Sequence, residues 1–136
     1  MDRSQGWEKT SMFALLLMGA LGLAVIAAAA GVLIKTSTSP AAVVSEVFGL
    51  RTKSTKHCDQ CWRVGHRAAA PALRFTALVS TALVILLIIL ALLLQPGSAV
   101  VAVVSVAGAY AISIGLMLMA ARNANAATRW VHGTED

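Results

Sequence analysis

Three long apolar blocks without a charged residue constrain this chain more than any other feature of its sequence. They cover residues 12–34, 75–94 and 99–121. Because a bilayer core about 30 Å thick is crossed by roughly 20 apolar residues in a helix, each block is long enough to span it. A helix also satisfies its own backbone hydrogen bonds in hydrocarbon. We therefore predict an all-α integral membrane protein with three transmembrane helices.

Composition agrees with this class and argues against catalysis. The chain is 58% hydrophobic and 12% charged, whereas about a quarter of an average soluble domain is charged. The three blocks lack the acidic, basic and histidine side chains that ion pathways, proton relays and haem sites usually need. The sequence also assembles no nucleophile with a base, no carboxylate pair and no phosphate-binding glycine loop. We therefore expect neither an enzyme nor an autonomous transporter.

Four polar segments flank and separate the blocks. They are the N-terminal outer segment 1–11, the basic loop 35–74, the turn 95–98 and the C-terminal tail 122–136. The turn contains Pro96 and Gly97, a pair typical of tight turns. We therefore expect the second and third transmembrane helices to form a tight hairpin.

The basic loop contains a short amphipathic pattern. Ser39 precedes Pro40, an arrangement typical of a helix start. The apolar residues that follow fall on one side of a helical projection, namely Val43, Val44, Val47, Phe48 and Leu50. We predict an amphipathic helix over about residues 40–50 that rests on the bilayer interface or on a partner protein.

The first apolar block has an alternative interpretation as a cleaved secretory signal. Ala28 and Ala30 before Gly31 resemble a signal cleavage site. However, the block is longer than a typical signal core, and the segment before it mixes acidic with basic residues rather than being positive. We therefore expect it to be a retained transmembrane helix.

The distribution of Lys and Arg predicts the orientation. Two basic residues precede the first block, seven lie in the loop and two lie in the tail. Since cytoplasmic segments are enriched in Lys and Arg, we expect the N-terminus outside and the C-terminus on the cytoplasmic, matrix or stromal side. The net charge of +5 favours contact with anionic lipid headgroups. We expect no nucleic-acid binding, because no basic helix is interleaved with aromatic residues.

A cluster of Cys and His in the loop is the one candidate metal site. Cys58 and Cys61 form a C-x-x-C pair, and His57 and His66 lie close to it in sequence. Two thiolates and two imidazoles match the ligand set of tetrahedral zinc. No other cofactor is indicated.

Two further interpretations of the cysteines stay open. They can be reduced or incidentally disulfide-linked residues of an ordinary loop, or a redox pair activated by the neighbouring Lys56 and Arg63. A structural disulfide is disfavoured on the reducing side of a membrane. With the opposite orientation, or in an oxidising compartment, a Cys58–Cys61 disulfide becomes the leading interpretation.

Small residues within the blocks indicate where helices approach closely. In the first block they are Ala20, Ala24, Ala27, Ala28 and Gly31. In the third block they form two faces, one of Ala107, Gly108, Ala111 and Gly115 and the other of Ala102, Ser105, Ala109, Ser113 and Ala120. We expect one face to pack within the chain and the other against another subunit. The Leu- and Ile-rich stretch around Leu87 is expected to face lipid, and Trp7, Trp62 and Trp130 to mark the membrane interfaces.

These features favour a non-catalytic accessory subunit of a hetero-oligomeric membrane complex, with respiratory and photosynthetic assemblies as common hosts for small proteins of this kind. One alternative is a self-assembling pore or membrane-remodelling protein of holin or envelope type. Another is a membrane-anchored protein with a zinc or redox loop.

Overall fold

Three long helices make up the described part of the chain. A computed structural model describes residues 3–38, 58–93 and 99–132. The helices are α1 (Arg3–Thr38), α2 (Asp59–Leu93) and α3 (Ala99–His132), and no strand occurs within these ranges. Each helix is long and apolar enough to cross a membrane. The predicted class, an all-α protein with three potential membrane spans, is confirmed.

All three helices extend beyond the predicted apolar blocks. At about 1.5 Å rise per residue each is about 50 Å long, well beyond a bilayer core of about 30 Å. Residues 59–74, which the sequence predicted as part of a loop, form the first turns of α2, and α3 continues through most of the predicted tail. Hydropathy identifies only the portion of a helix that suits lipid, so a polar continuation of the same helix is not detected. Alanine-rich segments in both extensions favour the helical backbone.

Two predicted features lie outside the described residues. These are the amphipathic helix at about 40–50 and the turn at 95–98.

Two clusters of buried side chains define the direction of the helices. In the first, Met12 and Leu16 of α1 pack with Leu87 of α2 and Ala102 of α3. A second cluster joins residues from the end of α1, the start of α2 and the end of α3, and it contains Ile34, Leu73 and Ala120 among others. Since the start of α1 meets the end of α2 and the start of α3, α2 runs antiparallel to the other two helices. We call the end that contains the second cluster the α2-start end of the bundle.

One sequence-based expectation about a single side chain is wrong. Leu87, expected to face lipid, is only 2% exposed and belongs to the first cluster. An uninterrupted apolar run has no polar side that would reveal which residues face inward, so the sequence could not distinguish Leu87 from its exposed neighbours. Trp62 is only 5% exposed, and its expected position at a membrane interface stays a prediction. Its ring stacks on His66, with the ring centroids 4.1 Å apart.

Helices α1 and α3 approach closely at two glycines. A Cβ added to Gly19 would lie 2.9 Å from Cγ2 of Val106, and one added to Gly22 would overlap the hydroxyl of Tyr110. The same hydroxyl donates a hydrogen bond of 3.4 Å to the carbonyl of Gly19. A side chain at either glycine would force the facing side chain of α3 to shift, so glycine is favoured at both positions.

A hydrogen bond between side chains joins α2 to α3. The hydroxyl oxygens of Ser80 and Ser113 are 3.1 Å apart, and both residues are fully buried. Each hydroxyl lies within an apolar block, where water is not available as a partner. The pair therefore satisfies two polar groups and fixes the register of the two helices.

Candidate functional site

The predicted Cys and His cluster lies at the beginning of α2. Cys58 immediately precedes the first helical residue, Asp59, and its carbonyl accepts a hydrogen bond of 3.0 Å from the amide of Trp62. Cys58 therefore occupies the N-cap position, and Cys61 lies within the first turn. This placement differs from the sequence-based expectation that both cysteines belong to a loop.

The two cysteines are bonded to each other in a disulfide. They are the only cysteines in the sequence. The amide of Cys61 donates a hydrogen bond of 3.0 Å to Sγ of Cys58. A side-chain acceptor at the N-cap normally satisfies one of the free amides of the first helical turn, and here a sulfur atom has that role.

The two sulfur-bearing residues differ in exposure. Cys58 is exposed, as are Asp59 and Gln60 between the cysteines, whereas Cys61 is 0% exposed. The pair therefore presents one cysteine to the surroundings and holds the other inside the bundle.

A Trp and a His one turn apart are buried in the first turns of α2, close to Cys61 in sequence. His66 is fully buried, and its Nδ1 lies 2.9 Å from the carbonyl oxygen of Trp62. The Trp62 ring stacks on the His66 ring. Nε1 of Trp62 has no acceptor among the described residues. His66 thus contributes to the packing of the first turns of α2, which the four-residue spacing of the two aromatic rings could have indicated.

The zinc hypothesis needs both cysteines as thiolates. In the disulfide form, Cys58 and Cys61 are not available as such ligands. Within residues 3–38, 58–93 and 99–132, no group of three or more His, Cys, Asp or Glu side chains is placed to hold a metal ion. His57 lies outside the described residues, so a zinc site remains a prediction for the reduced chain.

Positive side chains collect at the α2-start end of the bundle. They come from the end of α1, the first half of α2 and the end of α3, and all are exposed: Lys35, Arg63, Arg67, Arg74, Arg122 and Arg129. The antiparallel packing of α2 places residues that are far apart in sequence at this one end. Arg3 and Lys9 lie in the first turns of α1, at the opposite end.

The small residues predicted to form helix contacts divide between the interior and the surface. Of those in α1, Ala20 is buried, Ala24 is half-buried and Gly31 is exposed. One face of α3 is directed into the bundle, since Ala102, Ala109, Ser113 and Ala120 are buried. The other face, which consists of Ala107, Gly108, Ala111 and Gly115, is exposed. A Cβ built on Gly31, Gly108 or Gly115 meets nothing within 4 Å.

Sequence reasoning missed the contacts of Gly19 and Gly22 with α3. These glycines are three residues apart on one side of α1, a spacing that also permits close helix approach. The second half of the block is rich in alanine, so the sequence predicted the close contact there, further along the helix.

Comparisons with protein families, with curated proteins and with solved structures find no match to this chain. Function is therefore inferred from its own residues.

Proposed function

We propose that this chain is a non-catalytic subunit of a larger membrane assembly, and that the exposed small-residue face of α3 contacts a neighbouring membrane subunit. The observation that carries this proposal is the division of α3 into two small-residue faces. One face is buried by α1 and α2, and the other, which contains Ala111 and Gly115, is exposed.

The chemistry of the exposed face suits a helix of another membrane protein. In lipid, helices associate through close van der Waals packing rather than through the hydrophobic effect, so small residues at the contact are favourable. Around Gly108 and Gly115 there is room for an approaching backbone. The uncharged apolar blocks add to this proposal, because they offer no ionisable group for transport chemistry of the chain's own.

The proposal includes an orientation and a lipid contact. We place the α2-start end on the cytoplasmic side, or on its organellar equivalent, because its Lys and Arg residues outnumber those at the opposite end. Their exposed side chains are available to anionic headgroups of the adjacent leaflet. Each Lys or Arg near such a surface contributes about 1 kcal/mol to the free energy of membrane binding.

Native isolation with matched variants tests the subunit proposal. A tagged chain is purified from its own membranes in mild detergent, and its size is measured by native electrophoresis and mass spectrometry. We expect the wild-type chain to migrate with a defined larger complex. Ala111→Leu and Gly115→Leu should abolish this comigration, because a leucine separates the helix backbones.

Ala82→Leu is the matched control, since Ala82 is an exposed alanine on α2. The proposal fails if the wild-type chain is a lone monomer, or if all three variants assemble equally. A homo-oligomer that collapses the membrane potential of a bacterial host would also contradict it and would identify the alternative, a self-assembling pore.

A further inference from the structure

We propose that Cys58 and Cys61 form a thiol–disulfide exchange site for small thiols of negative charge, the chemical class of glutathione. Cys58 provides the sulfur that the incoming thiolate attacks, and Cys61 provides the sulfur that leaves. This chemistry is independent of the subunit contact proposed for α3.

The difference in exposure assigns the two roles. Thiol–disulfide exchange requires the attacking thiolate to reach one sulfur of the disulfide. Cys58 is exposed, whereas Cys61, within the first turn of α2, is fully buried. An external thiol therefore reaches Cys58, and Cys61 reacts only with its partner.

The start of α2 stabilises the Cys58 thiolate that is released from the mixed disulfide. The amide of Cys61 already donates to that sulfur at 3.0 Å. The N-terminus of a helix also carries a partial positive charge, which favours a nearby anion. Both effects favour a thiolate on Cys58, the form that leaves readily from a mixed disulfide and that reacts with a new one.

The charge of the α2-start end selects the thiol. Arg63 and Arg67 are exposed on the first turns of α2, and Arg129 is exposed near the end of α3. This positive surface raises the local concentration of anionic molecules and lowers that of cationic ones. A thiol with carboxylate groups is therefore preferred over one with an amine alone.

The orientation proposed above places the disulfide on the reducing side of the membrane. Disulfides in such compartments are usually transient, catalytic or redox-sensing rather than structural. Reversible exchange with the surrounding thiols agrees with that location, although the chemistry itself does not require it.

The external thiol supplies the electrons that reduce the protein disulfide. A thiolate attacks Sγ of Cys58, and the Cys58–Cys61 bond breaks with its electron pair on Cys61, which takes up a proton. A second thiolate then attacks the external sulfur of the mixed disulfide, so that a small disulfide forms and Cys58 leaves as a thiolate. Two external thiols are oxidised by two electrons, and the protein disulfide is reduced. The small disulfide reverses both steps and regenerates the protein disulfide.

Trapping with glutathione tests the site on the full-length chain in detergent. The wild-type disulfide should open in reduced glutathione without denaturant and close again in oxidised glutathione, as counted by alkylation and intact mass. In the Cys61→Ser variant, oxidised glutathione should form a stable mixed disulfide on Cys58. This reaction should be at least about tenfold faster than the reaction of Cys61 in the Cys58→Ser variant, because only Cys58 is accessible. Equal rates, or a wild-type disulfide that opens only after denaturation, would overturn the proposal.

Thiol selectivity provides a second measurement that does not depend on the cysteine variants folding. The wild-type chain should react a few-fold faster with glutathione than with the cationic thiol cysteamine, after correction for their intrinsic reactivities, and high salt should remove the difference. Arg63→Gln with Arg67→Gln should reduce the preference, whereas the distant Lys9→Gln should not. A preference unaffected by salt and by these arginines would exclude the proposed charge selection.

Discussion

Gly22 lies against the hydroxyl of Tyr110, which occupies the space that a side chain at this position would need. We expect Gly22→Ala to displace the tyrosine ring and to lower the stability of the bundle. Tyr110→Phe in the same chain should restore much of the loss, because it removes the atom that a Cβ at Gly22 would overlap. Unfolding of the detergent-solubilised variants, followed by circular dichroism, measures both effects.

Gly31→Ala is the control for this pair. A Cβ at Gly31 meets nothing within 4 Å, and alanine is favoured over glycine within a helix by about 1 kcal/mol. We therefore expect unchanged or higher stability. If Gly22→Ala and Gly31→Ala behave alike, the close packing of α1 on α3 at Tyr110 is incorrect.

The Ser80 and Ser113 hydroxyls are a second residue-scale contact with a measurable energy. Each single change to alanine leaves the other hydroxyl without its partner in α2 or α3. Interhelical hydrogen bonds in membranes contribute about 0.6 kcal/mol on average and rarely more than about 2 kcal/mol. A double-mutant cycle with Ser80→Ala and Ser113→Ala should yield a coupling in this range. As a reference, the exposed Thr81 donates only to a carbonyl of its own helix, so Thr81→Ala with Ser113→Ala should show no coupling.

Individual side-chain contacts were the features that could least be predicted from the sequence. Serines within an apolar block predict that each hydroxyl finds a partner, but the partner depends on the register of two helices, and the two serines are 33 residues apart along the chain. Likewise, a glycine in a helix permits close approach without specifying which helix approaches. Pairing information of this kind arises only from packing.

At the scale of the element, α2 has two parts with different chemistry. Residues 75–93 are apolar, whereas residues 59–74 carry three arginines and Cys61, one half of the disulfide. Pro71 lies near the boundary and lacks the amide that would otherwise donate to the carbonyl of Arg67. Hydropathy predicted residues 75–93 well, because it measures the compatibility of a segment with lipid. It could not predict the helical extension, which depends on contacts with α1 and α3 rather than on local apolar density.

Trp62 provides a test of that extension. Its ring is buried against His66, so Trp62→Ala should destabilise the start of α2 by about 3 kcal/mol, the usual cost of removing a large buried aromatic side chain. Amide hydrogen exchange should increase over residues 59–66. Trp130→Ala is the natural comparison, because Trp130 is 81% exposed and surface changes usually cost within about 0.5 kcal/mol. Similar exchange in both variants would contradict the buried position of Trp62.

For the whole molecule, the antiparallel bundle collects the charges that the sequence distributes over three segments. The proposed orientation places the C-terminus in the cytoplasm. Of two reporter enzymes fused after Asp136, the one that requires the cytoplasm should therefore be active, and the one that requires the outside should be inactive. Cysteines introduced at Pro96 and Ser98 should react with an impermeant reagent added outside. Both reporters giving the opposite result would invert the orientation, and with it the compartment of the disulfide.

A fusion after Asp136 in a chain with Arg63, Arg67 and Arg74 changed to Gln serves as the comparison. Since these substitutions remove part of the charge bias, its orientation should be less uniform than that of the parent chain.

In the proposed orientation, the collection of positive side chains at one end also couples the insertion of the bundle to the membrane potential. A membrane potential of 100 mV, negative inside, changes the energy of one elementary charge carried across the membrane by about 2.3 kcal/mol. With the α2-start end in the cytoplasm, each of its exposed cations opposes translocation in an energised membrane, so the potential itself reinforces the orientation. If the potential is dissipated with an ionophore during synthesis, that reinforcement is lost, and a larger fraction of chains inserted in the opposite direction is expected.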